Sequence, residues 1–330
     1  MSEFDIIREH FAPLSADAPG AFGLTDDAAL TGTGPFVVSK DMMIAGVHFL
    51  PRDPLDLVAR KLLRVNLSDL AAKGAKPIGY FLGCAWPAGA TRDQIAQFAD
   101  GLREDQAQFR IALYGGDTTR HSSKAGPLTL SATLFGTPPK QGVTPRGGAR
   151  AGDDLYVSGA IGDAGLGLAV LKKEIRLTPV DKASLAGRYH LPEPRLVLGA
   201  ALAGFATAAI DVSDGLVADA GHLARASGLR AEIDAVSIPR SAAAGAWIAT
   251  QTNRWKALAA LAGFGDDYEI LFAAPPELRR SVMVAAKASR TEVTRIGALK
   301  RGEGAALLDE TGREIACASQ GFDHFGRDGA

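Results

Sequence analysis

Aspartates beside small residues are the side chains of this sequence whose types and spacing are most suited to chemistry. The segment "AIDVSDGL" places two of them, Asp211 and Asp214, three residues apart after an apolar run. The others lie in similar short segments: Asp26, Asp27, Asp41, Asp69, Asp117, Asp266 and Asp267. Small neighbours let a backbone or a ligand approach closely, so these segments are suited to form a binding site.

Two interpretations of these aspartates stand side by side. A single aspartate at such a position caps a helix or closes a turn. Capping accounts less well for six or seven of them in a chain with few other catalytic groups. Gathered carboxylates repel one another unless divalent cations neutralise them, and Mg²⁺ takes oxygen ligands from carboxylates and from substrate phosphates. The pattern therefore predicts that Asp211 and Asp214 hold one or two Mg²⁺ ions that bind a polyphosphate.

Other chemistries lack the necessary residues. The dipeptide Gly-Lys is absent, which excludes a Walker A phosphate loop, and no GxSxG segment occurs. The six histidines show no metal-ligand spacing. The glycine series in "SGAIGDAGLG" does not fit the dinucleotide fingerprint; it either cradles a phosphate or, more simply, packs a helix tightly against a strand.

The overall composition indicates a folded protein without a strong overall electrostatic field. The 330 residues include 36 basic and 37 acidic side chains, so nothing draws the chain as a whole to nucleic acid or anionic lipid. Two cysteines are too few for a disulfide framework, and no apolar stretch is long enough for a membrane span. We expect a soluble, cytoplasmic protein that binds neither nucleic acid nor membrane.

The elements that position these aspartates indicate an α/β (α+β) fold in two domains. Strand patterns precede Asp41 and Asp117, and a helix runs from Asp53–Pro54 to Gly74. The glycine-rich, charged stretch "TPRGGARAGDD" separates the two halves. We place the boundary there, which predicts domains at residues 1–146 and 147–330.

The aspartate segments together resemble the thiamine-monophosphate kinase family. That family belongs to an ATP-binding superfamily that also contains aminoimidazole ribonucleotide synthetase and selenophosphate synthetase. The matching segments occur in order across almost the whole chain: "TDDAAL", "KDMMIAGVHF", "VNLSDLAAKGAKP", "YGGDTTR", "SGAIGDAGLGLAVL", "AIDVSDGL", "GDDYEILF" and "GFDHF". Their combination is much more specific than any one of them.

The resemblance implies an architecture and a reaction. The N-terminal domain would bind ATP and magnesium, and its mixed sheet with helices would pair across a homodimer. The C-terminal domain, an α/β sandwich, would cover the active site and bind thiamine phosphate. The γ-phosphoryl group of ATP would pass directly to thiamine monophosphate, giving thiamine diphosphate and ADP. The implied partners are ATP, thiamine monophosphate, several Mg²⁺ ions and a second copy of the chain.

The resemblance also implies roles for individual residues. Seven would hold magnesium: Asp27, Ser39, Asp41, Asp69, Asp117, Asp211 and Asp214. Four would contact ATP: Gly116, Asp117, Arg146 and Ser213. Arg146 would also steady the transferring phosphoryl group. His48, Asp266 and Phe322 would receive the thiamine moiety, although a lone histidine is commonly a structural residue and Phe322 equally suits pinning the chain end to the core.

Two departures and two alternatives accompany this prediction. Thr25 stands where the family has glycine, and Lys40 stands where a small hydroxyl residue precedes the aspartate. Lys40 cannot ligate a metal through a protonated side chain, which puts one ligand in question. The alternatives are another ATP-dependent enzyme of the superfamily, such as aminoimidazole ribonucleotide synthetase, and a catalytically silent nucleotide-binding scaffold.

Overall fold

The computed structural model describes residues 7–18, 32, 34–123 and 125–317. Thr25, Asp26, Asp27 and Phe322 lie outside these residues, so the roles predicted for them stay predictions. The chain divides into two compact units, the first taking Met1–Leu70 and Ala75–Pro138 and the second Ala71–Gly74 and Pro139–Ala330.

Ten strands are present in the described residues. They are β1 (Val37–Ile44), β2 (Lys76–Trp86), β3 (Ala112–Arg120), β4 (Thr129–Thr137), β5 (Asp154–Ser158), β6 (Ala208–Asp211), β7 (Arg230–Asp234), β8 (Ile270–Ala274), β9 (Val293–Lys300) and β10 (Gly304–Leu308).

Nine α-helices accompany them in the same part of the chain. They are α1 (Leu55–Ala72), α2 (Arg92–Phe109), α3 (Asp163–Leu171), α4 (Pro179–His190), α5 (Leu196–Leu202), α6 (Leu216–Ala226), α7 (Ala242–Ala249), α8 (Arg254–Gly263) and α9 (Arg279–Ser289). None of the helices described is long and apolar enough to cross a membrane.

The first unit is a four-stranded mixed sheet with helices on one face. The strand order is β1-β4-β2-β3, with β2 and β3 parallel and the other pairs antiparallel. Helix α1 ends at Ala72, shortly before Gly74, whose φ of 69° favours glycine, and Thr91 caps α2 with a reciprocal Gln94 bond. The Trp86 ring on the sheet meets the Phe98 ring on α2 edge-on at 5.4 Å.

The opposite face of this sheet is open within the described chain. Val38 and Met42 point from β1 to that face and are 61% and 52% exposed. Strand residues alternate between the two faces, so Ser39 and Asp41 point to the helix side instead.

Strand β3 extends beyond the strand pattern that precedes Asp117. It runs through Gly115 and Gly116 to Arg120, with a change of register opposite Tyr80 and Phe81. Gly116 permits this close pairing, because a Cβ there would lie 1.9 Å from the Leu82 carbonyl oxygen.

The second unit is a six-stranded mixed sheet between two layers of helices. The order is β10-β7-β9-β5-β8-β6, in which β10 and β7 are parallel and the other pairs antiparallel. Leu155 and Val157 join one core with α6 and α8, whereas Tyr156 joins the other with α5 and α9. This alternation confirms the predicted α/β sandwich.

Candidate functional site

An acidic cluster lies between β1 and α1 in the first unit. The Ser39 hydroxyl donates a hydrogen bond to the Asp69 carboxylate, and Asp41 lies against the same carboxylate. Asn66, one helical turn before Asp69, accepts a 3.1 Å hydrogen bond from the Asp41 N–H through Oδ1 and donates through Nδ2 to the Leu62 carbonyl oxygen. The two-residue period of the strand and the three-residue spacing of the helix place these side chains together.

The electrostatics of this cluster favour a cation. Burial, followed by the charge of Asp69 and a hydrogen bond to it, raises the pKa of Asp41 from 3.8 to about 7, and the charge of Lys40 acts in the opposite direction. Asp41 and Asp69 therefore resist carrying two negative charges at once, and a hydroxyl lies beside them. This oxygen-only donor set fits Mg²⁺.

The Lys40 side chain lies on the other face of the sheet. Lys40 alternates with Ser39 and Asp41 along β1, and its ammonium group donates a hydrogen bond to the Ser131 hydroxyl of β4. It therefore takes no position beside Asp69, and its difference from the family pattern removes no side chain from the acidic cluster.

Asp117 also lies away from the first cluster. The register aligns Asp117 with Gly83, Ser131 and Met42, the row whose side chains point to the open face, and aligns Gly116 with the Asp41 row. The Asp117 side chain is exposed. The structure thus brings Ser39, Asp41 and Asp69 together and separates Asp117 from them by the thickness of the sheet.

A second acidic cluster follows β6 in the second unit. Asp211 ends the strand and is 6% exposed, and Asp214 lies in the turn before α6. Carboxylate oxygens of Asp214 and Asp219 and a ring nitrogen of His222 lie within 4.8 Å of one another, close enough to hold a metal ion. Asp219 and His222 were not predicted as site residues, although their three-residue spacing places them on one face of α6.

Asp219 shares its carboxylate between the turn and its acidic neighbour. Its Oδ2 accepts hydrogen bonds from the N–H groups of Asp214 and Gly215 at 3.0 and 3.2 Å. Burial, followed by the charge of Asp214, raises the pKa of Asp219 to about 7, while the backbone N–H groups act to lower it. Asp219 therefore shapes the turn and adds negative potential to it.

The backbone joins the "DVSD" and "GDDYE" segments. Asp266 N–H donates to the Ser213 carbonyl oxygen and Tyr268 N–H to that of Val212, both at 2.8 Å. Gly265 allows the contact, since a Cβ there would lie 2.3 Å from the Ser213 oxygen. Asp266 and Ser213 are therefore neighbours, although they are far apart in the sequence.

The adjacent carboxylates of Asp266 and Asp267 have different surroundings. Asp266 is partly exposed and accepts a 3.1 Å hydrogen bond from the Tyr268 hydroxyl. Asp267 is buried and accepts hydrogen bonds from the N–H groups of Gly162 and Ala164, at the start of α3. Because Asp267 occupies that helix terminus, the structure favours packing rather than phosphate binding for the glycine series.

Arg146 lies in an exposed loop whose backbone is tied to the second sheet. The Pro145 carbonyl oxygen accepts a 2.8 Å hydrogen bond from Ala209 N–H in β6, and the Gly148 N–H donates to the Ser227 hydroxyl. The loop thus runs beside β6, whose last residue is Asp211.

His48 has the hydrogen bond expected of a structural histidine. Its Nδ1 accepts a 3.0 Å bond from Ile44 N–H at the end of β1. This bond fixes the ring over the turn that follows the strand, and the predicted contact with thiamine stays a prediction.

Most of the chain matches one known protein family. Residues 25–137 match the family model of the AIR synthase related protein N-terminal domain, and residues 150–309 match the C-terminal domain of the same family. The two-unit fold and its acidic turns are thus of the AIR synthase related class.

Full-length relatives narrow this class. Thiamine-monophosphate kinase of Caulobacter vibrioides is 45% identical over 326 residues, covering 98% of this chain and 91% of that protein. The crystal structure of thiamine-monophosphate kinase from Stenotrophomonas maltophilia K279a is 37% identical with a TM-score of 0.80, covering 93% of this chain and 98% of that one. AaThiL complexed with AMPPCP and TMP is 26% identical with a TM-score of 0.76, covering 98% and 97%. The chain belongs to the thiamine-monophosphate kinase family.

Proposed function

We propose that this chain is an ATP-dependent kinase that transfers the γ-phosphoryl group of ATP to the phosphate of thiamine monophosphate, giving thiamine diphosphate and ADP. The observation on which this depends is the full-length similarity to the Caulobacter vibrioides kinase. The AaThiL complex supports it, because AMPPCP is an analogue of ATP and TMP is the phosphate acceptor.

The reaction needs charge neutralisation more than proton transfer. The second pKa of a phosphate monoester is about 6, so the acceptor is largely dianionic at neutral pH and requires no general base. Two unit charges about 4 Å apart at an effective dielectric of about 20 repel by about 4 kcal/mol, and both substrates carry several charges. Positioning and electrostatics therefore supply the catalysis.

Magnesium is the cation we propose for the acidic clusters. Ser39, Asp41 and Asp69 would hold it in the first unit and Asp211 and Asp214 in the second, with Asp27 as a further ligand. Asp117, whose side chain points to the opposite face of the first sheet, would hold a separate ion. The raised pKa of Asp41 supports this assignment, because two adjoining carboxylates are best accommodated by an added positive charge. When bound, Mg²⁺ would neutralise phosphate oxygens and hold them in line for transfer.

ATP would be contacted by Gly116, Asp117 and Ser213. Arg146 would clamp the transferring phosphoryl group. The exposed guanidinium on a fixed loop backbone supports this role, since a guanidinium can donate two parallel hydrogen bonds to phosphate.

Thiamine would be received by Asp266, His48 and Phe322. Its thiazolium ring carries a fixed positive charge, which the partly exposed Asp266 carboxylate suits. An aromatic ring such as that of Phe322 suits stacking on a flat cationic ring.

We further propose that the enzyme is a cytoplasmic homodimer whose copies meet through the open face of the first sheet. The exposed Val38 and Met42 side chains support this, because a sheet face with apolar side chains gains stability when covered. Sedimentation measurements test it: Val38→Lys with Met42→Lys is expected to give monomers, and a wild-type chain that sediments as a monomer would contradict it.

The proposed activity is tested with purified protein, ATP, Mg²⁺ and thiamine monophosphate, measuring thiamine diphosphate and ADP. We expect equal amounts of both products, with none from thiamine or formylglycinamidine ribonucleotide as acceptor. ATP turnover with formylglycinamidine ribonucleotide alone would instead assign the aminoimidazole ribonucleotide synthetase reaction. No Mg²⁺-dependent ATP turnover with any acceptor would indicate a silent scaffold.

The role of Arg146 has a matched control in the same loop. Arg146→Ala is expected to lower kcat about a hundredfold, as for removal of a transition-state hydrogen-bond donor. Arg150, which is also exposed, serves as the control, and Arg150→Ala should leave kcat unchanged. Equal kcat values for the two variants would exclude the clamp.

A further inference from the structure

The turn that presents Asp266 has a backbone conformation rare for its residues. Asp266 and Tyr268 both have left-handed backbones, with φ values of 70° and 52°. Residues other than glycine are strained in this conformation, and they keep it only where their surroundings hold them. Because two of the three residues Asp266–Tyr268 have this conformation, the turn must be held firmly by its surroundings.

The alternate residues of the turn are those anchors. Asp267 is 2% exposed and bound by the N–H groups at the start of α3, at 2.7 Å from Gly162 and 3.3 Å from Ala164. Glu269 is fully buried and ends the turn where β8 begins. The turn therefore buries its odd-numbered carboxylates and presents Asp266 and Tyr268.

Two arginines and a serine hold the Glu269 carboxylate. Arg195 donates two hydrogen bonds to it, both 2.7 Å long, and Arg188 donates a third at 2.8 Å. The Ser158 hydroxyl donates at 2.6 Å and accepts a 2.8 Å bond from Ile270 N–H. The two oxygens of Glu269 are thus fixed in direction as well as in place.

We propose that Arg195 and Arg188, acting through Glu269, are positioning residues for the thiamine end of the substrate. They hold the turn so that the Asp266 carboxylate, oriented by the Tyr268 hydroxyl, faces the cationic ring. This inference rests on the proposed function for the identity of the ligand. The arginines bind the Glu269 carboxylate at the end of the turn, so they act on binding through backbone geometry.

The chain offers a matched control at the other end of the same strands. Asp154 pairs with Ala274 at the end of β8, whereas Glu269 precedes its beginning. Asp154 is 2% exposed and receives two bonds from Arg279, at 2.6 and 2.9 Å, and one from Arg295 at 3.1 Å. At both sites a buried carboxylate is bound by one arginine through two hydrogen bonds (a bidentate arginine) and by a second arginine through one.

The test replaces the bidentate arginine at each site with lysine. Lysine keeps the positive charge but cannot donate two parallel hydrogen bonds to the carboxylate. We expect Arg195→Lys to raise KM for thiamine monophosphate about tenfold, because a small displacement of a positioned group has a large effect on binding and rate. KM for ATP should stay unchanged, and Arg279→Lys should change neither KM.

Hydrogen exchange on the same proteins tests the arginine anchor without reference to catalysis. Exchange at the Asp266 and Tyr268 amides should quicken in Arg195→Lys and not in Arg279→Lys. A chain inactive on thiamine monophosphate would remove the proposed function, while the exchange result would still decide whether the arginines hold the turn. Unchanged exchange, or equal changes in both KM values, would overturn the inference. Should Arg195→Lys not fold, Arg188→Lys takes its place with the same expected outcomes.

Discussion

Buried and half-buried carboxylates of this chain have two opposite kinds of neighbour. Asp154 is held by Arg279 and Arg295, and those arginines lower its pKa. Asp41 lies against Asp69, and burial together with that second carboxylate raises its pKa to about 7. One carboxylate has its countercharge within the chain, whereas the other pair is placed so that an added cation would stabilise it.

The difference separates residues that hold the fold from residues that bind a ligand. Asp105 and Glu269 resemble Asp154, since each is fully buried and bound by two arginines. Asp219 resembles Asp41. Burial raises the pKa of Asp219 most, and the negative charge of Asp214 raises it further. Removing a carboxylate of the first kind should therefore lower stability, and removing one of the second kind should lower activity.

The largest effect is expected at the first acidic cluster. Asp41→Asn and Asp69→Asn should each lower kcat by about a thousandfold, since several kcal/mol of charge stabilisation at the phosphates would be lost. The midpoint of thermal unfolding in metal-free buffer should stay equal or rise, because the repulsion between the two carboxylates is removed. Kinase assays measure the change in kcat, and melting curves measure the change in the midpoint of unfolding. Variants that retain normal kcat at limiting Mg²⁺ would contradict the metal assignment.

The opposite outcome is expected at Asp105, which anchors Arg60 and Arg64 between α1 and α2. Asp105→Asn should lower the free energy of unfolding by about 3 kcal/mol, because the buried Arg64 guanidinium loses its countercharge, whereas Arg60 keeps its ion pair with Glu104. Urea unfolding measures it. Asp100→Asn is the control, since that exposed carboxylate pairs only on the surface with Arg103 and should change little. Equal stability of the two variants would break the comparison.

Magnesium binding should depend on pH through Asp41. Its folded pKa of about 7 lies above the ordinary 3.8, so in metal-free protein the stability it contributes falls as pH rises between those values. Mg²⁺ must displace that proton, so apparent Mg²⁺ affinity should fall about tenfold for each pH unit below about 7. Titration calorimetry between these pH values measures the slope. A slope that is the same in Asp41→Asn would assign the proton to another group.

Asp154 should show the reverse dependence. Its lowered pKa means that its contribution to stability is complete above the ordinary value of 3.8 and is lost as pH falls through the folded value. Acid unfolding of wild type and Asp154→Asn measures this contribution. Curves that stay a constant distance apart from pH 5 to pH 2 would contradict it.

Periodicity and caps predicted strands and helices of an α/β (α+β) fold, because they are local features, and the family resemblance implied the mixed sheet and the sandwich. The sequence could not predict that the side chain of Asp117 points to the face opposite that of Asp41, since this depends on the register across four strands. It also missed Glu269 and its arginines. Glu269 lies 74 residues from Arg195 and 81 residues from Arg188 in the sequence, and spacing along the chain does not reveal such contacts.

The smallest effects distinguish the two faces of β1. Ser39 donates to Asp69 on the helix side, so Ser39→Ala should weaken Mg²⁺ binding about tenfold, as for loss of a hydrogen bond that orients a metal ligand. Lys40→Ser restores the family's residue type on the open face, where the lysine meets Ser131, and should change Mg²⁺ affinity by less than about twofold. Calorimetry on both variants compares neighbouring residues on opposite sides of one strand. A larger change in Lys40→Ser than in Ser39→Ala would mean that the metal is bound from the open face, and the assignment of Asp41 and Asp69 as its ligands would then be wrong.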